Sequence, residues 1–237
     1  MSSKHRSIVI PGEPIVRGTQ WKTEFGAYKD GDVVRAYVMG IAHIDFRKRT
    51  VKVIPLRYHQ YIPKVGDIVI GKVVDYGPVA WYIDIGADQV ARLDAIDFLG
   101  RPIDPMRENI RSFLDVGDVV CAKVILAERG ALPQLSAAAS DLGKLVGGKL
   151  IFVDITKIPA IIGKQGKLIN MIKQLTHADI RVGANGVIWI KADPEIMKIV
   201  ESVIRLIERE AHVPDLYNRV RSYINRELQK LRSRRRI

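Results

Sequence analysis

The sequence predicts a multi-domain chain, β-rich first and α+β after: a small β domain, a five-stranded barrel, a βααββα domain and a closing helix. Three observations predict it. Gly31–Val38, Gly66–Val73 and Gly117–Val124 each place a Gly-Asp turn before a β-branched run, the pattern of a turn that opens a strand. Gly163 and Gly166 interrupt an otherwise apolar, helix-like stretch from Ala160 to Leu175. Pro194–Ala211 and Leu216–Leu231 then carry apolar residues at helical spacing.

The elements follow in order. In residues 1–62, Val33–Ile44 and Thr50–Leu56 read as two strands, with Arg47-Lys48-Arg49 as a basic hairpin tip between them. Residues 63–145 hold five strands: Ile68–Asp75, Val79–Ile85, Gln89–Leu93, Val119–Leu126 and Gln134–Ala138. A long link from Asp94 to Val116 separates the third from the fourth, which suggests an OB-type Greek-key barrel. The Gly-Asp turns lie 35 and 51 residues apart, and that unequal spacing argues against a solenoid. In residues 146–213, a strand at Leu150–Ile155 is followed by two helices around the glycines. Strands at Asp179–Val182 and Val187–Lys191 come next, joined by Gly183-Ala184-Asn185-Gly186, and then the Pro194 helix with Asp193 at its N-cap. Residues 214–237 form a basic amphipathic helix and tail ending in Arg232-Ser233-Arg234-Arg235-Arg236.

Charge gives the first functional clue. The 237 residues carry 38 Lys and Arg against 26 Asp and Glu, a net +12 that invites a polyanion. The surplus is uneven: +6 in residues 1–62, −3 in 63–145, +3 in 146–213 and +6 in 214–237. A nucleic-acid contact on the barrel therefore needs local placement and stacking rather than bulk charge. One cysteine excludes an internal disulfide framework and a Cys-clustered metal site. With no signal-like N-terminal segment and no long apolar run, the chain is expected to be cytoplasmic, without membrane contact.

The sharpest motif is Ile161-Ile162-Gly163-Lys164-Gln165-Gly166. Two glycines let a loop between helices approach a sugar-phosphate backbone, while Lys164, Lys167 and helix N-terminal amides face phosphates. Gln165 shares the loop, and Ile161, Ile162 and Ile180 are expected to floor an apolar groove for bases. Within the order βααββα this follows the logic of the GXXG loop that clamps about four nucleotides in KH domains; a bare helix–helix corner is the alternative. On the barrel, Trp81 and Tyr82 point to opposite faces, so one is core and the other a stacking platform, Tyr82 being favoured. Tyr76 joins that face, and Lys72, Arg92 and Lys123 are candidate phosphate contacts. Plain barrel packing is the alternative for the aromatics.

Catalysis finds little support. The five histidines make no H-x-x-x-H pair, and no Walker loop, G-x-G-x-x-G or G-x-S-x-G occurs. Asp94, Asp97 and Asp104 are close in sequence but read as a solvated acidic loop rather than a metal-nuclease cluster. Cys121, mid-strand in an apolar pattern, reads as a core thiol. No cofactor, metal or small-molecule substrate is expected.

These residues resemble known modules. Val65–Val73, Trp81–Ile85 and Leu135-Ser136 resemble the OB-type domain of ribosomal protein S-one, with Leu93-Asp94 where such domains often carry a histidine. Lys149–Ala211 resembles a type I KH domain. With Val9–Pro14 and the β-rich start, the order is similar to the family of RNA-binding cap subunits of the archaeal exosome, over nearly the whole chain. Polynucleotide phosphorylase carries the two RNA modules in reverse order beside catalytic domains. The resemblance implies three copies on a ring of RNase PH-like subunits, docked through the N-terminal domain and delivering single-stranded RNA 3′ ends for 3′-to-5′ degradation. A free RNA-binding protein of translation or ribosome assembly is the alternative, and a self-sufficient nuclease the third reading.

Overall fold

The structure, a computed structural model, describes residues 6–23, 26–36, 39–55, 61–128, 130–213 and 215–234. It divides into two compact units, Met1–His59 and Gln60–Ile237. His5, His59 and the Arg235-Arg236 end of the basic tail lie outside the described residues.

The first unit is built from β1 (Ile8–Val9), β2 (Pro14–Arg17), β3 (Lys22–Thr23), β4 (Ala27–Asp30), β5 (Val33–Ala36), β6 (Gly40–Asp45) and β7 (Thr50–Pro55). One sheet runs β1-β6-β7-β3 and the other β2-β5-β4. Their inward residues, among them Val9, Ile15, Val34, Ala36, Ile44 and Val53, form one core with Trp21. The expected single strand Val33–Ile44 is two strands: β5 pairs with β2 and β4, β6 pairs with β1 and β7, so the chain changes sheets between them. The basic tip is present. Asp45 Oδ1 accepts from the amides of Lys48 and Arg47, and these bonds, Lys48 first, hold its carboxyl below the usual range.

The second unit opens with a barrel: β8 (Ile68–Tyr76), β9 (Ala80–Asp84), β10 (Ala91–Asp94), then α1 (Ala95–Leu99), β11 (Val119–Leu126), β12 (Gln134–Ser136) and β13 (Gly143–Leu145). The sheet order is β12-β10-β9-β8-β11-β13, and an added β11–β12 pairing closes it. Alternation works as the strand period requires: Val69, Val73, Trp81, Ile83, Leu93, Val120, Val124 and Leu135 fill the interior. Trp81 is fully buried and its Nε1 donates to Leu114 O at 2.9 Å, so the indole also anchors the long link. β13 is a strand the sequence reading did not contain.

The remainder comprises β14 (Lys149–Phe152), α2 (Ile158–Ile162), α3 (Lys167–Thr176), β15 (Asp179–Val182), β16 (Val187–Lys191), α4 (Pro194–Glu210) and α5 (Leu216–Arg234). The antiparallel sheet runs β14-β16-β15. Helices α2, α3 and α4 cover it through Ile161, Ile172, Val200, Val203 and Ile207, and α5 adds Val220 and Ile224 to the same core.

Within this unit the barrel and the βααββα domain share a seam. Ile70 and Cys121, on the outer face of β8 and β11, pack against Trp189 from the outer face of β16. Beside them the β15–β16 turn inserts Asn185. Its Nδ2 donates to Ile70 O at 2.8 Å and to Ile85 O at 3.0 Å, and its Oδ1 accepts from Ile70 N at 3.2 Å. Ala184 N donates to Ile68 O at 2.7 Å. Gly183 lets the turn come this close, because a Cβ there would fall against Asn185 Oδ1 and 3.0 Å from Ile70 N.

Asn185→Ala is expected to lower the unfolding free energy by about 3 kcal/mol, because it strands one buried N–H and two buried carbonyls; chemical denaturation measures this. Burial pushes the Cys121 thiol up to about 11. The native protein is therefore expected to resist iodoacetamide at pH 8 and to react rapidly in denaturant. The sign for stability follows: only the unfolded chain sheds this proton just above pH 9, so the contribution is complete below that pH and is lost as pH rises through about 11.

Candidate nucleic-acid interface

The glycine loop stands as the motif predicts, between α2 and α3. Gly163 has φ 73° and ψ 172°, and a Cβ there would lie 2.6 Å from Leu168 Cβ, so only glycine fits. Gln165 (φ 53°) and Gly166 (φ 74°) are also left-handed, and Gly166 N donates to Gly163 O at 3.1 Å. This tight reversal leaves Lys164, Gln165 and Lys167 exposed and turns the first amides of the ten-residue α3 toward the same side. Ile162 is half-buried beside them. Ile161 and Ile180, expected to floor a groove, instead have no exposed surface: both point into the core. A contact with bases here rests on Ile162 and the loop.

On the barrel, Trp81 is the core aromatic and Tyr82 the outward, half-buried one. Tyr82 lies opposite Arg92 on β10 and opposite Asp75 on β8. A Cβ on Gly77, in the turn after Tyr76, would lie 3.9 Å from the Tyr82 ring. Tyr76 itself stands opposite Trp81, not Tyr82, so the pleat turns it to the Trp81 side and it does not join the Tyr82 face as expected. Tyr76 is 38% exposed, and the Arg111 guanidinium lies 5.3 Å from its ring centroid. Asp115 holds that guanidinium by two bonds, at 3.0 and 3.1 Å.

The three cations chosen from the sequence do not gather. Arg92 is beside Tyr82 but bound to Asp94 at 2.7 Å. Asp94 stands where the resemblance leads one to seek a histidine. Lys72 faces Val119 and Lys123 faces Ile68, four residues apart along the β8–β11 ladder; both are exposed.

Sequence reasoning missed three features. Arg111 escaped notice although its i,i+4 spacing to Asp115 was a visible signal. Lys173 on α3 and Arg181 on β15 also face each other. Burial, and then the Arg181 charge, lower the Lys173 pKa, while Arg181 Nε, 3.5 Å from Asp179, is buried without a hydrogen bond. Asn185 had looked like an ordinary turn residue. Among the described residues, no three His, Cys, Asp or Glu side chains come together in a metal-binding group, and no helix is long and apolar enough to cross a membrane. Burial raises the Asp97 pKa, with help from the Asp94 charge.

Known proteins share this arrangement. Residues 60–125 match the family described as the S1 domain of RRP4, and residues 149–208 match the KH domain family. The exosome complex component Rrp4 of Pyrococcus furiosus is 38% identical over 234 residues, 98% of this chain and 87% of that protein. That of Ignisphaera aggregans is 40% identical over 237 aligned positions, 96% of this chain and 92% of the relative. Among solved structures, a protein assigned as an exosome complex RNA-binding protein superposes with a TM-score of 0.65 at 32% identity, covering 73% of this chain and 99% of its own.

Gln165→Asp puts a carboxylate at the loop tip, in a backbone conformation that aspartate tolerates. Its affinity for single-stranded RNA is expected to fall by on the order of tenfold at low salt, with circular dichroism unchanged. Unaltered affinity would remove the loop from the interface.

Proposed function

The chain belongs to the Rrp4 family of archaeal exosome components, and from that premise we propose that it is a non-catalytic RNA-binding cap subunit of that complex. It captures single-stranded RNA and passes 3′ ends to a ring of RNase PH-like subunits, three copies serving one ring. Residues 1–62 dock on the ring, 63–145 and 146–213 are the S1 and KH modules that hold RNA, and 214–237 are a basic amphipathic helix and tail. The complex works in the cytoplasm.

One observation carries the reading. A glycine loop with exposed Lys164 and Lys167 and a barrel carrying Tyr76 and Tyr82 outside its core belong to the same compact unit. One binds phosphates through charge and amides. The other takes bases through stacking, which is indifferent to sequence because every base has a π face. Two weak modules on one body, repeated threefold, multiply their affinities through effective concentration.

The test uses the purified chain and fluorescein-labelled single-stranded RNA. Anisotropy is followed through a salt titration, and the same samples are run on a denaturing gel. Binding that weakens as salt rises is expected, with intact RNA. Cleaved RNA would overturn the non-catalytic assignment, and no binding at low salt would overturn the RNA role. Co-elution with RNase PH-like ring subunits on size exclusion is expected, at three cap chains per ring.

A further inference from the structure

We propose that the long β10–β11 connection, together with Tyr76, forms a nucleobase subsite for single-stranded RNA beside the barrel face. The inference rests on the RNA-binding reading above. A cleft of about 600 Å³ lies between the Tyr76 turn and the connection, lined by Tyr76, Pro78, Pro105, Met106, Arg107 and Asn109 among others. Its size falls within the roughly 300–1,000 Å³ of ligand clefts.

Three observations give it an occupant. First, the walls are flat and apolar where a base would lie. Tyr76 forms one wall, and Met106, 95% exposed, presents its thioether to water. Leaving an unbranched apolar side chain fully in solvent is unfavourable, and a methionine adapts to planar partners. Second, the site is electrically quiet. Glu108 is held by Arg101 through two bonds of 2.8 and 2.6 Å, which keep its carboxyl below the usual range. Asp104 accepts from Met106 N and lies 3.5 Å from Arg107. Arg107 itself has an 85% exposed side chain and is held only at that distance, free to swing to a phosphate. Third, Gly77 lines the cleft, and a Cβ on it would lie 3.9 Å from the Tyr82 ring, so a second aromatic stands close to the cleft's edge. Arg111 is outside the lining and backs the Tyr76 ring, fixing its plane.

The assignment is therefore one nucleotide: base between Tyr76 and Met106, phosphate on Arg107. The two parts respond differently to salt, which makes them separable. Stacking is uncharged, whereas each phosphate contact adds about 0.7 to the slope of log affinity against log salt for a single strand.

The experiment titrates the full chain and two surface variants with a labelled oligoadenylate at several salt concentrations. Met106→Ser is expected to weaken binding about fivefold at every salt, with the slope unchanged. Arg107→Gln is expected to weaken binding at low salt and to flatten the slope by about 0.7. If wild type binds and neither variant changes affinity, the subsite is overturned and RNA binding by the chain stands. If wild type itself fails to bind, the RNA-binding reading falls and takes the subsite with it. A flattened slope for Met106→Ser would also overturn the base assignment, because a lost stack releases no counterion.

Discussion

The Asn185 amide is the contact on which the arrangement of the second unit depends. β9 ends its pairing with β8 at Lys72–Asp84, so the peptide groups of Ile70 and Ile85 face a gap in the barrel wall. A side-chain amide has one acceptor and two donors, the complement a strand would offer. Asn185 supplies it from another domain, 115 residues away in sequence from Ile70. Around it Trp189 covers Ile70 and Cys121, so the polar contact sits in a dry surround where a missing partner is costly. A flexible linker could not do this. With seam and hydrogen bonds together, the glycine loop and the barrel tyrosines hold fixed places on one body, so in the function proposed above RNA held by one would be presented to the other without a fresh entropy cost.

That fixed geometry gives the two modules separate tasks. The loop side carries unpaired lysines at a helix start, where backbone amides add partial positive charge. The barrel side offers rings whose charge partners are already occupied. Salt therefore weakens the first more than the second, and the pair retains some grip at ionic strengths where a purely electrostatic binder lets go.

Much of this was legible in the sequence. Val119–Leu126, Asp179–Val182 and Val187–Lys191 have in the structure the bounds read from their apolar pattern, because Gly turns delimit them and the first and last are apolar runs with three consecutive buried residues. The loop geometry was legible too, since Gly163 tolerates no Cβ. Failures arose where the deciding contact is distant. The apolar character of Val33–Ile44 does not report that its halves join different sheets. The three residues of β13 carry no periodicity. Ile161 and Ile180 look alike to any pattern whether they floor a groove or fill a core, and the inward faces of helix α2 and strand β15 settle the matter. Asn185 sits in a Gly-Ala-Asn-Gly segment that reads as a turn, and it is one; only the barrel wall beside it shows what the amide is for.

Part of the acidic charge of the barrel segment, net −3, is held in ion pairs. Asp94, Asp104, Glu108, Asp115 and Asp118 each face an arginine or lysine at 2.6–3.5 Å. Such exposed pairs add little stability, about 0–1 kcal/mol each. Their consequence is electrostatic: paired charges look like dipoles, and a dipole's field decays within a few ångströms where salt screens beyond about 8 Å. An approaching phosphate thus meets dipoles rather than bare charges at these five carboxylates, while the segment's surplus negative charge stays with its other acidic residues. One set of ion pairs thus softens the field beside Arg92 and Arg111, where carboxylates are paired, and leaves the surplus elsewhere on the segment.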